Sequence, residues 1–450
     1  MRVSKDVKAF ATKTAVGLGM KMLPLVSDDR LLSLIRPKTS AIRYPGGAAF
    51  LENAVLVLKR ALLESSENCR QRMARNFFVN VVVVGGDKRE KVFKEEGFYP
   101  PSVIVASPTM RCNLHCFGCY SGEHSKEQDL DIGTFNRLIE EAKELGAYFI
   151  TISGGEPFVY DGLFQVFEKH PDAFFHMYTN GALIDQTVAK RLADLGNVLP
   201  LISVEGFEEM TDARRGKGTF ARIIHAMDCL KRSGVPFGFS VTVTRHNNEL
   251  VVSDEFVDFW RAKGCIIGWY FQYMPVGRKP DLSLMPTPEQ RQYRYDRMLK
   301  LRAEKPMIIA DFFNDAPLVG GCIAGGRAYL HINCKGDVEP CVFAHFAVDN
   351  IRNKSLLDVL KSDFFKAIRA RQPYSDNYLR PCMIIDNPHV LREVVSEGRA
   401  IPTHTGAESV LDRLAPGLDQ YASCFKTVAD SVWDQDFSKV AIPPSRSGYQ

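Results

Sequence analysis

An α/β fold built on a parallel sheet is the class this sequence predicts, and two observations predict it. Over residues 99–280, short apolar runs rich in Val, Ile, Phe and Tyr alternate with longer amphipathic stretches. Strand–helix alternation of this kind marks parallel units joined by right-handed crossovers. The amphipathic stretches also close on glycine, at Gly146, Gly196, Gly234 and Gly264, as helices do where a left-handed residue ends the last turn. Six strands are expected, at residues 103–107, 148–153, 174–180, 199–205, 237–244 and 267–274. Each is a near-continuous apolar run, so both faces are expected to be covered. Helices are expected over 132–145, 187–195 and 220–233. Periodicity does not separate an open sheet from a partial barrel.

The flanks read differently. Residues 1–98 have a helical pattern, broken at Arg43-Tyr44-Pro45-Gly46-Gly47. In the first twenty residues Val3, Val7, Phe10 and Leu18 share one helical face, with Arg2, Lys5, Lys8 and Lys13 off it. A basic amphipathic helix can make peripheral contact with a membrane. It can equally pack on the barrel with its charged face in water, and Lys21 on the apolar face favours that. Residues 391–450 form a C-terminal extension, helical to about 440, with a tail from Pro443 that reads as disordered.

Bulk composition narrows the function. With 45% hydrophobic and 24% charged residues in 450, the chain is ordinarily globular. A net charge of +4 gives no case for nucleic acid as a partner. The 11 cysteines are odd in number and widely spread, which suits a reducing compartment and metal ligation rather than a disulfide scaffold. The longest apolar stretch, residues 77–84, is too short to span a bilayer. Lys13 and Lys21 interrupt what would be the core of a signal peptide, so a cytoplasmic location is expected.

Sites in parallel sheets gather at the carboxyl ends of strands. The first expected strand runs into Cys112, Cys116 and Cys119. Thiolates are soft ligands for iron–sulfur, zinc or copper. Three of them are one short of a closed site, and an open position is what a catalytic metal centre needs. The second strand ends in Ser153-Gly154-Gly155-Glu156-Pro157. Its paired glycines let backbone approach a ligand closely.

These two motifs, in this order, resemble the signature of the radical S-adenosylmethionine (SAM) superfamily. The resemblance implies a partial (β/α)6 barrel, the radical SAM core, over residues 99–315. It also implies a 4Fe–4S cluster on Cys112, Cys116 and Cys119, whose open iron takes the amino and carboxylate groups of SAM. Reductive cleavage would give methionine and a 5′-deoxyadenosyl radical, which abstracts hydrogen from an unactivated C–H bond. By similarity, Gly154, Gly155 and Glu156 would hold the SAM amino group, and Ser203 its ribose. Arg215 would approach the carboxylate, with Arg214 as the rival. Thr242 would lie near the adenine, and Asn180 belongs to the same polar collar. Many members carry an aromatic residue just before the third cysteine, where Gly118 stands here, and Phe117 or Tyr120 would take its place. An electron donor such as ferredoxin or flavodoxin is implied as a partner.

Residues 316–390 hold a second cysteine region. Cys322, a strand, a turn at Lys335-Gly336-Asp337 and a return strand to Cys341 resemble the SPASM or Twitch auxiliary-cluster extension of radical SAM enzymes. The resemblance implies one auxiliary 4Fe–4S cluster on Cys322, Cys341 and Cys382. Buried free thiols or a zinc site are the alternatives. Cys334 falls at the hairpin tip and is read as a turn residue, so the fourth ligand stays open. Cys69, Cys229, Cys265 and Cys424 read as small core residues. For substrate, relatives with SPASM extensions imply a peptide or protein. The amphipathic N-terminus and aromatic Trp269, Tyr270, Phe271 and Tyr273 suggest a lipid-like molecule instead. A non-catalytic iron–sulfur scaffold or electron-transfer module would have no need of the Gly-Gly-Glu-Pro motif.

Overall fold

The computed structural model describes residue 19, residues 22–40, residue 42, residues 44–124 and residues 127–437. The amphipathic helix expected in the first twenty residues and the tail from Pro443 lie outside this set. All six expected strands form: β1 (Val103–Ala106), β2 (Phe149–Ile152), β3 (Phe174–Thr179), β4 (Val198–Val204), β5 (Gly238–Val243) and β6 (Ile267–Gln272). Three more follow, β7 (Ile308–Asp311), β8 (Tyr329–Ile332) and β9 (Val338–Glu339). The sheet order is β7-β6-β5-β4-β3-β2-β1-β8-β9. Every pairing from β7 through β8 is parallel. Only the terminal β8–β9 hairpin is antiparallel.

The sheet is sharply curled. In a flat sheet β3 and β6 would lie roughly 14 Å apart, three strand spacings. Here the Trp269 ring of β6 is 5.4 Å from the His176 ring of β3, and the Phe271 ring is 5.4 Å from Tyr178. Phe312, just past β7, meets Tyr329 of β8 at 6.1 Å. The two ends of the parallel array therefore approach one another across aromatic rings, as in a partial barrel. The auxiliary hairpin is part of that wall, because β8 pairs with β1 from Val103↔Tyr329 to Ala106↔Ile332.

The helices follow from side-chain periodicity and capping. Helix Ile132–Glu144 starts where the Asp131 carboxylate accepts from Thr134 N, and helix Gln186–Leu195 starts likewise at Asp185. Each side-chain cap contributes about 1 kcal/mol. Phe135, Leu138, Ile139 and Ala142 recur at helical spacing and are fully buried.

Helix Pro288–Glu304, which precedes β7, breaks this rule. Arg291, Arg294 and Arg302 are on its buried face. Arg291 pairs with Asp386 at 2.6 Å, Arg294 with Asp311 at 2.8 Å, and Arg302 with Asp315. The Arg291 guanidinium also covers the Phe425 ring at 3.3 Å, tying down the C-terminal helix Ala415–Asp436. Removing one partner of such a buried pair costs about 3–5 kcal/mol, because a charge is left uncompensated.

The N-terminal helices Asp28–Thr39, Gly47–Glu64, Glu67–Ala74 and Gly85–Glu96 form as expected, broken at Gly46 with φ +66°. The apolar run at 77–84 lies in a π-wound segment, Arg75–Val84, with Phe77 against Phe174 of β3 at 5.7 Å. Among the described residues no helix is long and apolar enough to cross a membrane. Cys69, Cys229 and Cys265 are core residues, but Cys424 is exposed, contrary to the sequence reading. The buried stripe of its helix runs through Leu418, Ala422, Phe425, Ala429 and Val432, and position 424 falls off it.

Candidate active site

The loop of residues 107–130 follows β1 and carries the first three cysteines. Gly155 N and Glu156 N each donate to it, at Thr109 O and Arg111 O, both at 2.9 Å. A Cβ on Gly154 would lie 2.3 Å from Thr109 O, and one on Gly155 would lie 2.1 Å from Arg111 O. The paired glycines thus let the two loops pack backbone to backbone. Arg111 grips Asp129 within the loop and donates to Val159 O at 3.0 Å. From the end of β6, Arg278 N donates to Cys119 O at 3.0 Å and its side chain to Cys116 O at 3.1 Å. The cysteine loop is therefore fastened on two sides.

Cys112, Cys116 and Cys119 line one cavity of about 380 Å³ inside the curled sheet. Burial pushes the Cys112 thiol up to about 11, and Glu156, Cys116 and Cys119 add to the rise. Cys116 is raised by burial and pulled back by Arg215. These thiols disfavour one another as anions, and a bound cationic cluster would relieve that; the donor set fits a soft metal centre.

The same cavity is walled by Gly154, Gly155, Asn180, Ser203, Arg214, Arg215 and Thr242. The structure brings together every expected SAM-site residue except one. Glu156 is fully buried and is not part of the wall. Its carboxylate accepts from Thr179 Oγ1 at 2.7 Å, Asn180 N at 2.8 Å and Phe158 N at 3.2 Å. It fastens the end of β2 to the end of β3.

The two arginines converge on Glu205. Arg215 Nε donates to Glu205 Oε1 at 2.9 Å, and Arg214 Nη1 lies 2.6 Å from the same oxygen. Among the described residues, Glu205 Oε2 is buried without a hydrogen-bond partner, while Arg214 Nη1 has its ion pair with Glu205 Oε1. A buried orphan oxygen of this kind marks a place where a polar group belongs.

Gly118 has φ +61°, and a Cβ there would meet the Tyr273 ring at 2.9 Å. Tyr273, from the end of β6, fills the space beside the third cysteine, and Phe117 is 47% exposed. Tyr120 also lines the cavity, its hydroxyl sharing a 2.6 Å hydrogen bond with Ser153 Oγ. Sequence reasoning missed Tyr273 in this role, although it follows a strand end. It also missed Glu205, Gln272 and His176. His176 Nε2 is buried without a partner among the described residues, and burial pushes this imidazole down to about 3.

Cys322, Cys341 and Cys382 line a second cavity of about 210 Å³. Cys341 Sγ lies 3.0 Å from Tyr329 Oη. The Cys382 amide donates to Asp386 Oδ2 at 3.1 Å, so the buried Arg291–Asp386 pair also sets this loop. Burial pushes the Cys322 thiol up to about 12, with Cys341 adding to it. Cys334 is buried in the hairpin turn and is not part of this cavity. Trp269, Phe312, Ile323, Tyr329 and Phe343 wall both cavities.

Comparison with known proteins agrees with this geometry. Residues 106–255 match the radical SAM superfamily, and residues 322–383 match SPASM, an iron–sulfur cluster-binding domain. The mycofactocin maturase MftC of Mycobacterium ulcerans is 32% identical over 266 residues, 56% of this chain and 70% of that protein. The PqqA peptide cyclase of Gluconobacter oxydans is 25% identical over 58% of this chain and 76% of its own. Among solved structures, Streptococcus suis SuiB bound to S-adenosylmethionine shares the fold, with TM-score 0.51 and 21% identity over 62% of this chain and 70% of that one. The named relatives are enzymes, which removes the scaffold reading. This chain belongs to the radical SAM superfamily, as an enzyme with a SPASM domain whose cofactors are S-adenosylmethionine and 4Fe–4S iron–sulfur clusters.

Proposed function

We propose that the enzyme abstracts a hydrogen atom from an unactivated C–H bond of a peptide held in the central cavity. The observation that carries this reading is the largely apolar chamber of about 380 Å³ beside the three cysteines, which shares its wall of Trp269, Phe312, Ile323, Tyr329 and Phe343 with the second cysteine cavity. The relatives support a peptide, since one is named a peptide cyclase and another a maturase.

In this reading Cys112, Cys116 and Cys119 hold one 4Fe–4S cluster, and Cys322, Cys341 and Cys382 hold an auxiliary one. When bound, the first cluster and SAM supply a 5′-deoxyadenosyl radical. The protein's part is orientation and exclusion of water. The Ser153–Gly155 backbone would hold the methionine end of SAM, and Glu156 is a positioning residue that ties the end of β2 to the end of β3. Arg214 and Arg215 both pair with Glu205 Oε1, and of the two Arg215 is assigned the carboxylate, with Arg214 beside it as the rival. Ser203 and Thr242 would hold the ribose and adenine side of SAM, with Tyr273 beside the base. Trp269, Phe271, Phe312 and Phe343 keep water from the reacting carbon. A small one-electron donor such as ferredoxin or flavodoxin supplies the reductant.

The aromatic floor also favours a second reading, a lipid-like substrate bound with some contact to a membrane surface. One experiment separates the two. Reconstituted enzyme with dithionite and SAM is given either short peptides encoded near its gene, labelled with deuterium, or a detergent-dispersed lipid extract. Deuterium appearing in 5′-deoxyadenosine from a peptide supports the first reading. Stimulation of 5′-deoxyadenosine release by lipid alone overturns it.

A further inference from the structure

Three histidines that the proposed chemistry does not use meet beside the three-cysteine loop. His124 follows Cys119 in that loop. His345 precedes a short strand, β10 (Phe346–Ala347), and His404 follows its partner β11 (Ile401–Pro402). The β10–β11 pairing, with Thr403 N donating to His345 O at 3.0 Å, brings the last two together. The three ring centroids form a near-equilateral triangle with sides of 4.8, 4.5 and 4.7 Å. All three residues are more than nine-tenths buried, with exposures of 3%, 2% and 7%. One ring nitrogen from each lies within 4.8 Å of the others.

The hydrogen bonds fix which nitrogens are bare. His345 Nε2 lies 2.9 Å from Val342 O, and His404 Nδ1 lies 2.9 Å from Thr405 O. A carbonyl only accepts, so those two nitrogens carry the protons. A neutral imidazole has one N–H. His345 Nδ1 and His404 Nε2 therefore face each other as bare lone pairs at 2.7 Å. His124 Nε2 is buried and has no hydrogen-bond partner among the described residues. A proton shared by the facing pair would leave the third nitrogen unserved, whereas a cation serves all three. Donation of the far ring N–H to a backbone carbonyl is also how metal-binding histidines are held. Glu339, fixed by His331 and Asn333 and bonded to Thr403, places a fully buried carboxylate near the group as counter-charge.

We propose that His124, His345 and His404 bind one divalent transition-metal ion, zinc(II) in the first instance. Imidazole suits zinc among the first-row ions, and three histidines with a fourth position left for water is a known zinc arrangement. The ion would staple the three-cysteine loop to the auxiliary and C-terminal segments, so it is a site separate from both cysteine sets.

The test uses anaerobically purified, iron-loaded enzyme given equimolar zinc(II) and then desalted. Zinc and iron are counted together, and the zinc K-edge spectrum is recorded. The expected result is about one zinc per chain with a nitrogen and oxygen shell at about 2.0–2.1 Å. His124→Gln and His404→Gln should each weaken zinc retention by at least the 10–100-fold that even an outer-shell change costs, while iron stays at the wild-type level. Retained iron shows that the variants have folded. Wild-type enzyme that keeps no zinc, or keeps it with a sulfur shell at about 2.3 Å, overturns the proposal. Zinc that stays in both variants also overturns it. The wild-type spectrum decides the matter even if a variant fails to fold.

Discussion

The two cysteine sets line neighbouring cavities but are assembled in opposite ways. Cys112, Cys116 and Cys119 sit in one loop and face a chamber that also holds two arginines, Ser203 and Thr242. Cys322, Cys341 and Cys382 come from three separated segments and are walled by Tyr329, Phe313 and Met383. The first set has polar room beside it for a charged ligand; the second has almost none. Proximity in sequence suits a centre that must stay open on one side, because a single loop leaves the opposite hemisphere free. Assembly from distant segments suits one that is enclosed, because the chain closes around it.

The sharpest way to break this comparison is to remove the first set. Changing Cys112, Cys116 and Cys119 together to Ala should abolish 5′-deoxyadenosine release. It should leave about half of roughly eight irons per chain, since each 4Fe–4S cluster has its own thiolates. An iron-free triple variant would show that the second set holds no cluster. Next in size, Cys341→Ser should lose about four irons while the first centre still cleaves SAM.

Arg215→Met should weaken SAM by about 1.5–3 kcal/mol, the range for a hydrogen bond to a charged group. Equilibrium binding at unchanged iron content would measure it, and a larger loss in Arg214→Met would reverse the assignment of the two arginines.

His176 tests the chamber's floor through pH. Its folded value of about 3 lies below the unfolded 6.5. The unfolded state therefore binds the extra proton, and stability falls as pH drops from about 6.5 toward 3. At pH 5 this single group should cost about 2 kcal/mol relative to pH 8. Denaturant unfolding of His176→Asn should show a shallower decline over that range; an unchanged slope would mean that the imidazole is reached by water. Smallest of all, Cys334→Ser should leave the iron count unchanged, because Cys334 lies outside the trio's cavity.

Much of the frame was legible because its contacts are local. Apolar runs and glycine-closed helices marked β1 through β6, and the spacing of Cys112, Cys116 and Cys119 marked the site. β7 was missed because the helix before it buries Arg291, Arg294 and Arg302 among Tyr295, Met298 and Leu301 on its inner face, and the ion pairs break up the apolar stripe. The same reasoning missed Glu205, and it missed Tyr273 and the His124–His345–His404 group, whose partners lie tens to hundreds of residues away. The paired glycines were expected to make room for a ligand. They also make room for Thr109 and Arg111 of the neighbouring loop. Glu156 was placed in the right motif but turns away from the chamber, since three donors within 24 residues already claim its oxygens.

The parallel pairing of β1 with β8 has a consequence during synthesis. Residue 103 waits for residue 329, so at 5–20 residues per second the outer edge of β1 stands unpaired for roughly 10–45 s on the ribosome. Through that interval the nascent barrel offers a bare row of backbone donors and acceptors next to the three-cysteine loop. Such an edge invites pairing with the wrong strand. High contact order of this kind slows folding, so soluble yield should depend on chaperone capacity and on translation speed between residues 106 and 329.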